Sequence, residues 1–183
     1  MTAQGIGASV KRREDFRFIK GIGKYTDDID LPNQLYCYIL RSSVAHARVG
    51  SLDTSSAKAA PGVVAVFTSK DIAESGAGGV PCGWLITSRD GTPMKEPKHP
   101  ILAEGKVRHV GDPVAAVIAE SLEQAKNAAE LIKLDLYELP AAVDMKRALK
   151  GGPAVHDEAA DNLCFDWELG DKAATDAAFA RSA

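Results

Sequence analysis

The apolar positions of this chain recur in short segments, and most of these segments have the period of a strand. Strands show strict alternation or, when both faces are buried, a continuous apolar run. On this basis we predict strands at residues 35–41, 48–53, 63–68, 107–110, 114–119, 133–137 and 163–169. The segment 35–41 is apolar at odd- and even-numbered positions alike. Both of its faces are therefore expected to be buried, as in a central strand.

Helical spacing of apolar residues is clearest at residues 122–132. Ser121 and Gln124 stand at the start of this segment with the spacing of a capping box, which is typical of a helix N-terminus. The pattern therefore predicts one well-defined helix there. Shorter helices or helical turns are predicted at residues 56–60, 69–72, 145–150 and 172–180.

Residues 74–100 break the pattern, because they are rich in Gly, Pro, Thr and Lys, with Trp84 in their one apolar cluster. Loops of this length in a compact domain are usually functional or docked against another surface. A second interpretation is that Trp84 anchors the loop to its own core. Both stay open. Residues 111–113, Gly-Asp-Pro, predict a tight corner between two strands.

Composition places the chain among ordinary globular domains. It has 183 residues, of which 45% are apolar and 26% charged, close to the average for such domains. The net charge of −3 argues against a nucleic-acid partner, which requires clustered basic residues. The one basic run, residues 11–13, is followed directly by two acids.

Neither a membrane span nor a secretory leader is expected. The strongest apolar run, residues 114–119, is far shorter than the roughly 20 residues that cross a bilayer. Residues 1–19 mix Gly, Ser and charges and lack the apolar stretch of a signal peptide. We therefore expect a cytoplasmic location.

The histidines and cysteines do not form a local metal motif. They are His46, His99, His109 and His156, with Cys37, Cys82 and Cys164. No histidine stands three or four residues from another histidine or from a cysteine, and no C-x-x-C pair occurs. His46 is expected to be held by a backbone hydrogen bond, His109 to be structural on its strand, and the thiols to be reduced.

Other patterns with possible chemistry also favour structural roles. Asp27 and Asp28 are adjacent and point apart in an extended segment, so turn or capping roles are expected. Gly21 and Gly23 lack the third glycine of a dinucleotide-binding loop, and residues 110–113 are too short for a P-loop. No G-x-S-x-G occurs. The residues therefore predict no catalytic, cofactor-binding or metal-binding side chain.

Four motifs in order resemble the a/b hammerhead domain of the aldehyde oxidase and xanthine dehydrogenase family. They are Gly21-x-Gly23-x-Tyr25-x-Asp27-Asp28-Ile29, Arg41-Ser42-Ser43-x-Ala45-His46-Ala47-Arg48, Pro61-Gly62-Val63 and Val107-Arg108-His109-Val110-Gly111-Asp112-Pro113-Val114-Ala115. The resemblance extends over about residues 21–149. Residues 165–172 and 175–180 are similar to the aerobic carbon monoxide dehydrogenase branch of the family.

The resemblance implies an α+β fold, an a/b hammerhead with a mixed sheet and two or three packed helices. It also implies a domain order. Residues 1–20 are expected to be an N-terminal arm, 21–153 the hammerhead domain, and 154–183 a linker and the truncated start of a molybdopterin-binding domain.

The same resemblance implies a function for a larger protein. That protein is a molybdenum-dependent hydroxylase large subunit that binds molybdopterin cytosine dinucleotide and passes electrons to iron-sulfur and flavin subunits. This chain is expected to be its N-terminal structural module, inactive alone and without a cofactor. It packs on the remaining molybdopterin-binding domains, with residues 74–100 and the corner at 111–113 as expected contact surfaces.

The substrate and the function each have alternatives. Carbon monoxide, an aldehyde and an N-heterocycle are all open as substrates of the whole enzyme. The alternative function is a free-standing accessory or binding domain that has the hammerhead fold and no enzyme activity.

Overall fold

A computed structural model describes residues 5–9 and 11–182. The described residues divide into two units, one ending at Gln34 and one beginning at Leu35. The first unit contains helix α1 (Asp15–Ile19) and a 3-10 turn (Thr26–Asp28). The rings of Phe18 and Tyr25 stack with their centroids 5.1 Å apart. A Cβ on Gly23 would lie 2.1 Å from the Phe18 ring, so a larger residue there would displace that ring.

The second unit contains six strands, five helices and one 3-10 turn among its described residues. The strands are β1 (Tyr36–Arg41), β2 (Ala47–Asp53), β3 (Val63–Thr68), β4 (Lys106–Val107), β5 (Pro113–Ala119) and β6 (Lys133–Glu138). The helices are α2 (Ser55–Lys58), α3 (Ser69–Glu74), α4 (Leu122–Glu130), α5 (Met145–Ala148) and α6 (Lys172–Arg181), and the 3-10 turn is Asp157–Ala159. The predicted helices are thereby confirmed to within about two residues at each end.

The first sheet has the order β1-β5-β3, with β5 antiparallel to both neighbours. The prediction that the first strand is central was wrong, because β1 lies at an edge and β5 is central. Strand β5 is built from Val, Ala and Ile after its initial Pro and buries four of its seven residues, including Ala115 and Val117 at 0% exposure. Small side chains on β5 let a helix approach closely.

Helix α4 covers this sheet and closes the main core. The hydroxyl of Ser121 accepts a hydrogen bond from the backbone N–H of Gln124 at 3.2 Å, which confirms the predicted cap. The helix buries Ala125, Ala128 and Ala129 against the sheet. Helices α2 and α3 also contact strand β3, so three helices pack on this sheet.

The second sheet has the order β4-β2-β6 and is also antiparallel. It encloses a smaller core of Ala47, Ala103, Val107 and Val114. The strand predicted at residues 107–110 is only Lys106–Val107, since Gly111 has a φ of 87° and turns the chain. That corner leads from β4 in the second sheet to β5 in the first.

The α+β class is confirmed. The sheet arrangement differs in detail from the mixed sheet expected, because every pairing between the described strands is antiparallel. Within the described part of the chain, no helix has the length and apolar character needed to cross a membrane. The domain boundaries at residues 20 and 153 stay predictions.

Candidate functional site

The long irregular segment predicted at residues 74–100 is present. Between α3 and β4, the described residues contain only an isolated bridge, Thr87 to Pro93. Trp84 does not anchor this segment to the core, since the residue is 71% exposed. Its ring instead lies edge-on to Trp167 with the centroids 6.2 Å apart. The interpretation of Trp84 as a core anchor was therefore wrong.

Residues 84–95 are docked along residues 161–168, and we call this contact the clamp. Arg89 pairs through Nη2 with Asp166 at 2.5 Å and through Nη1 with Glu168 at 2.9 Å. The Lys95 ammonium pairs with Asp161 at 2.7 Å. Hydrogen bonding to Asp166 and Glu168 raises the pKa of Arg89, and hydrogen bonding to Lys95 lowers the pKa of Asp161. The clamp thus joins two segments that are distant in sequence.

The predicted strand at residues 163–169 was wrong, and the clamp gives the reason. This segment is extended, but its backbone carbonyls are bonded at only two points to the clamp partner. Arg89 N–H donates to the carbonyl of Asp166 at 2.8 Å, and Lys95 N–H to that of Cys164 at 2.9 Å. Two bonds from the same partner segment do not make a strand ladder. Side-chain pairs secure the contact instead.

Replacing Arg89 by alanine is expected to open the clamp without unfolding the unit. Each exposed ion pair is weak alone, but Arg89 holds two acids at once, so its loss leaves the Lys95 ion pair and two backbone hydrogen bonds in the clamp. The backbone amides at position 89 and at Lys95 should exchange with solvent about three to ten times faster in the variant, as measured by NMR. Core amides of β5 should not change. Arg13→Ala is the matched control, and equal exchange in both variants would contradict the clamp.

Acid is expected to release the Lys95 end of the clamp. Because the pKa of Asp161 is lowered in the folded chain, its contribution is present above the ordinary value of 3.8 and is lost as pH falls through the lowered value. Acrylamide quenching of tryptophan reports this directly, since both tryptophans of the chain lie in the clamp. Quenching should increase on acidification. In Asp161→Asn the Lys95 ion pair is already absent, so quenching at neutral pH should exceed that of the original chain, and equal quenching would refute the assignment.

Three of the four histidines meet at one surface pocket of about 260 Å³. We call it the histidine pocket. It is lined by Pro97, Lys98, His99, Pro100, Arg108, His109, Asp112, His156 and Cys164. Sequence spacing gave no signal for this cluster, because its histidines come from three separate segments. His109 is exposed in the turn after β4. The prediction that this histidine lies on a strand was therefore wrong.

Arg108 is one of the charged residues that line the histidine pocket. Its Nε is buried and has no hydrogen-bond partner among the described residues, while Asp112 accepts a bond from its backbone N–H at 2.8 Å. Burial, and next the charge of Arg108, lower the pKa of His156, against smaller opposite effects of Glu158 and Asp157. The lining therefore contains two permanent cations, Lys98 and Arg108, beside a histidine whose neutral form is favoured by burial.

His46 lies outside the pocket lining and has the predicted structural role. The residue is 6% exposed, and its Nδ1 donates to the carbonyl of Pro140 at 2.8 Å. A carbonyl only accepts, so the proton is on Nδ1. This bond holds the chain after β6 against the start of β2. It confirms the prediction that His46 is held by a backbone hydrogen bond.

Other residues considered for chemistry also have structural contacts. Asp28 accepts a hydrogen bond from the backbone of Tyr25 at 2.9 Å, which confirms a capping role. Gly21 has a φ of 67°, as a turn glycine should. In the described part of the chain, no group of three or more His, Cys, Asp or Glu is placed to hold a metal ion.

Two of the sequence motifs meet in space at the corner between the sheets. Ser42 N–H donates to the carbonyl of Asp112 at 2.9 Å, and Gly111 N–H donates to that of Ser42 at 2.8 Å. The Arg41 guanidinium donates to the Gly111 carbonyl at 2.9 Å. The motifs at residues 41–48 and 107–115 thus form one structural crossing.

The surface of the second unit exposes large apolar side chains near its C-terminal helices. Val143 is 86% and Met145 84% exposed at the start of α5, and Leu169 is 82% exposed before α6. None of the residues of α6 is buried. Such exposed apolar residues are typical of protein contact surfaces when they adjoin.

Comparison with known proteins gives a consistent result. Residues 20–140 match the sequence model of a family described as "Aldehyde oxidase and xanthine dehydrogenase, a/b hammerhead domain". The nicotine 6-hydroxylase large subunit of Paenarthrobacter nicotinovorans is 38% identical over 163 residues, covering 89% of this chain. The carbon monoxide dehydrogenase large chain of Afipia carboxidovorans is 37% identical over 192 residues, covering 98%.

Solved structures agree with these relatives. Quinoline 2-oxidoreductase from Pseudomonas putida 86 matches 87% of the chain with a TM-score of 0.72 and 39% identity, over 20% of its own length. Reconstituted CO dehydrogenase from Oligotropha carboxidovorans matches 97% with a TM-score of 0.68 and 36% identity, over 22% of its length. The chain likewise spans only 19% and 22% of the two sequence relatives.

Proposed function

The chain belongs to the aldehyde oxidase and xanthine dehydrogenase a/b hammerhead family, and from this premise we propose that it is a structural module of a molybdenum-dependent hydroxylase large subunit. The observation that carries this proposal is the match to a carbon monoxide dehydrogenase large chain along 98% of this chain but 22% of the relative. We infer an oxidoreductase of the carbon monoxide dehydrogenase type for the whole protein, in the cytoplasm.

The proposed role of this module is assembly rather than catalysis. Its two cores hold the sheets, while the apolar side chains at α5 and α6 stay exposed for contact. The proposed partners are the molybdopterin-binding remainder of the same subunit, together with iron-sulfur and flavin subunits. The names of two relatives support a multi-subunit enzyme, since one is called a large subunit and the other a subunit of a dehydrogenase complex.

The molybdenum cofactor is proposed to lie outside this module. The described residues contain no cluster of side chains suited to a metal, so they do not fit a metal site. Molybdopterin, in its cytosine dinucleotide form, is proposed for the whole subunit. Accordingly, we assign no catalytic or cofactor-binding residue to this chain.

Metal and pterin analysis of the purified chain tests this role. The chain is produced in a host that makes molybdopterin, and molybdenum is measured by inductively coupled plasma mass spectrometry beside a pterin fluorescence assay. We expect a folded protein without stoichiometric molybdenum or pterin. Stoichiometric molybdenum retained through gel filtration would contradict a purely structural role.

A further inference from the structure

The histidine pocket contains more basic groups than acidic ones. One arginine, one lysine and three histidines line it, with Asp112 as the only carboxylate in the lining. That carboxylate already accepts the backbone N–H of Arg108 at 2.8 Å. The basic groups come from separate segments of the chain that the fold brings to one pocket.

The nearby acids reduce this charge, but none of them forms an ion pair with Arg108 among the described residues. Glu104 pairs with Lys98 at 2.6 Å, and Asp157 pairs with Lys106 at 2.8 Å. Each of these ion pairs lowers the pKa of its carboxyl group. The guanidinium of Arg108 is thereby left without a carboxylate ion pair among the described residues.

Arg108 also has donor capacity that the protein does not use. Its Nη1 donates to the carbonyl of Lys106 at a long 3.4 Å, and its buried Nε has no described partner. Because the Nε is closed to solvent, a ligand in the pocket would bind the outer guanidinium nitrogens. The planar guanidinium suits the paired oxygens of a carboxylate or phosphate group.

From this geometry we propose that the histidine pocket binds a small oxyanion group, a phosphate or a carboxylate, with Arg108 as its main ligand. A volume of about 260 Å³ accommodates such a group but not a large cofactor. His99, His109 and His156 surround the anion. An anion there opposes the effect that the Arg108 charge has on His156, so the pKa of His156 rises on binding.

The test is NMR of the four histidine rings in the full chain, titrated with inorganic phosphate or acetate against chloride at constant ionic strength. We expect saturable shifts of His99, His109 and His156, a higher titration midpoint for His156, and little change at His46. Stronger saturation by phosphate assigns a phosphate-type ligand, and stronger saturation by acetate assigns a carboxylate. No saturable response to either anion would overturn the proposal.

Variants show whether Arg108 is the ligand. Arg108→Gln should weaken binding about tenfold or more, because it removes the charge-assisted bonds, whereas Arg13→Gln, in the other unit, should bind like the original chain. If Arg108→Gln does not fold, Arg108→Lys is used instead. Lysine keeps the positive charge but lacks the paired N–H groups of the guanidinium, so severalfold weaker binding is expected. Undiminished binding in the folded variant would refute the assignment.

Discussion

Replacing Val117 by aspartate unfolds the second unit. Val117 lies in the central strand β5 at 0% exposure and belongs to the main core. The new carboxylate would have no partner there, and burying an unpaired charge destabilises a domain by about 4 kcal/mol or more. The total stability of a domain of this size is about 5–15 kcal/mol, so most or all of it is lost.

A matched variant separates burial from the chemistry of the substitution. Val64 lies on the neighbouring strand β3 but is 58% exposed. Val64→Asp should cost no more than about 1 kcal/mol, since only strand propensity and partial burial are lost. Urea unfolding followed by circular dichroism measures both. Comparable losses in the two variants would contradict β5 as the centre of the core.

Enlarging Ala125 is expected to have the second largest effect. Ala125 is 0% exposed where α4 meets the sheet, and its small side chain sets their separation. Leucine at this position adds three carbon atoms to a filled interface, which costs about 1–3 kcal/mol. The unfolding midpoint should fall accordingly.

Ala178→Leu is the control for that variant. Ala178 is exposed on α6, where no described residue is buried. The added apolar side chain should change stability by less than about 0.5 kcal/mol. If Ala125→Leu were as stable as Ala178→Leu, the close packing of α4 on β5 would be wrong.

The parts of the fold that the sequence predicted are those with local causes. Helix α4 has a capping serine, Ser121, and a sustained apolar period, and both are read directly from neighbouring residues. The corner at Gly111 depends on one positive φ. Strand order has no such local signal. Strands β1 and β5 both have continuous apolar runs, yet β1 lies at the edge of the sheet and β5 at its centre. The position of a strand in a sheet depends on its pairing with segments distant in sequence.

The candidate site was not predictable for the same reason. His99 and His156 lie far apart in the sequence, and only the fold brings them to one pocket. The contact of residues 163–169 with residues 84–95 was not predictable either. Alternation of apolar and polar residues indicates an extended segment but does not identify the segment that it contacts. Motif resemblance identified the family because it depends on order along the chain rather than on contacts.

Isolation of the native protein tests whether this chain is part of a molybdenum-containing large subunit. Antibodies raised against this chain would be used to capture the protein from its source cells, followed by mass spectrometry of the polypeptide and molybdenum analysis. Since the chain spans 19% and 22% of its relatives, we predict a polypeptide about five times as long that contains molybdenum. A polypeptide of 183 residues isolated without molybdenum would refute the proposed function.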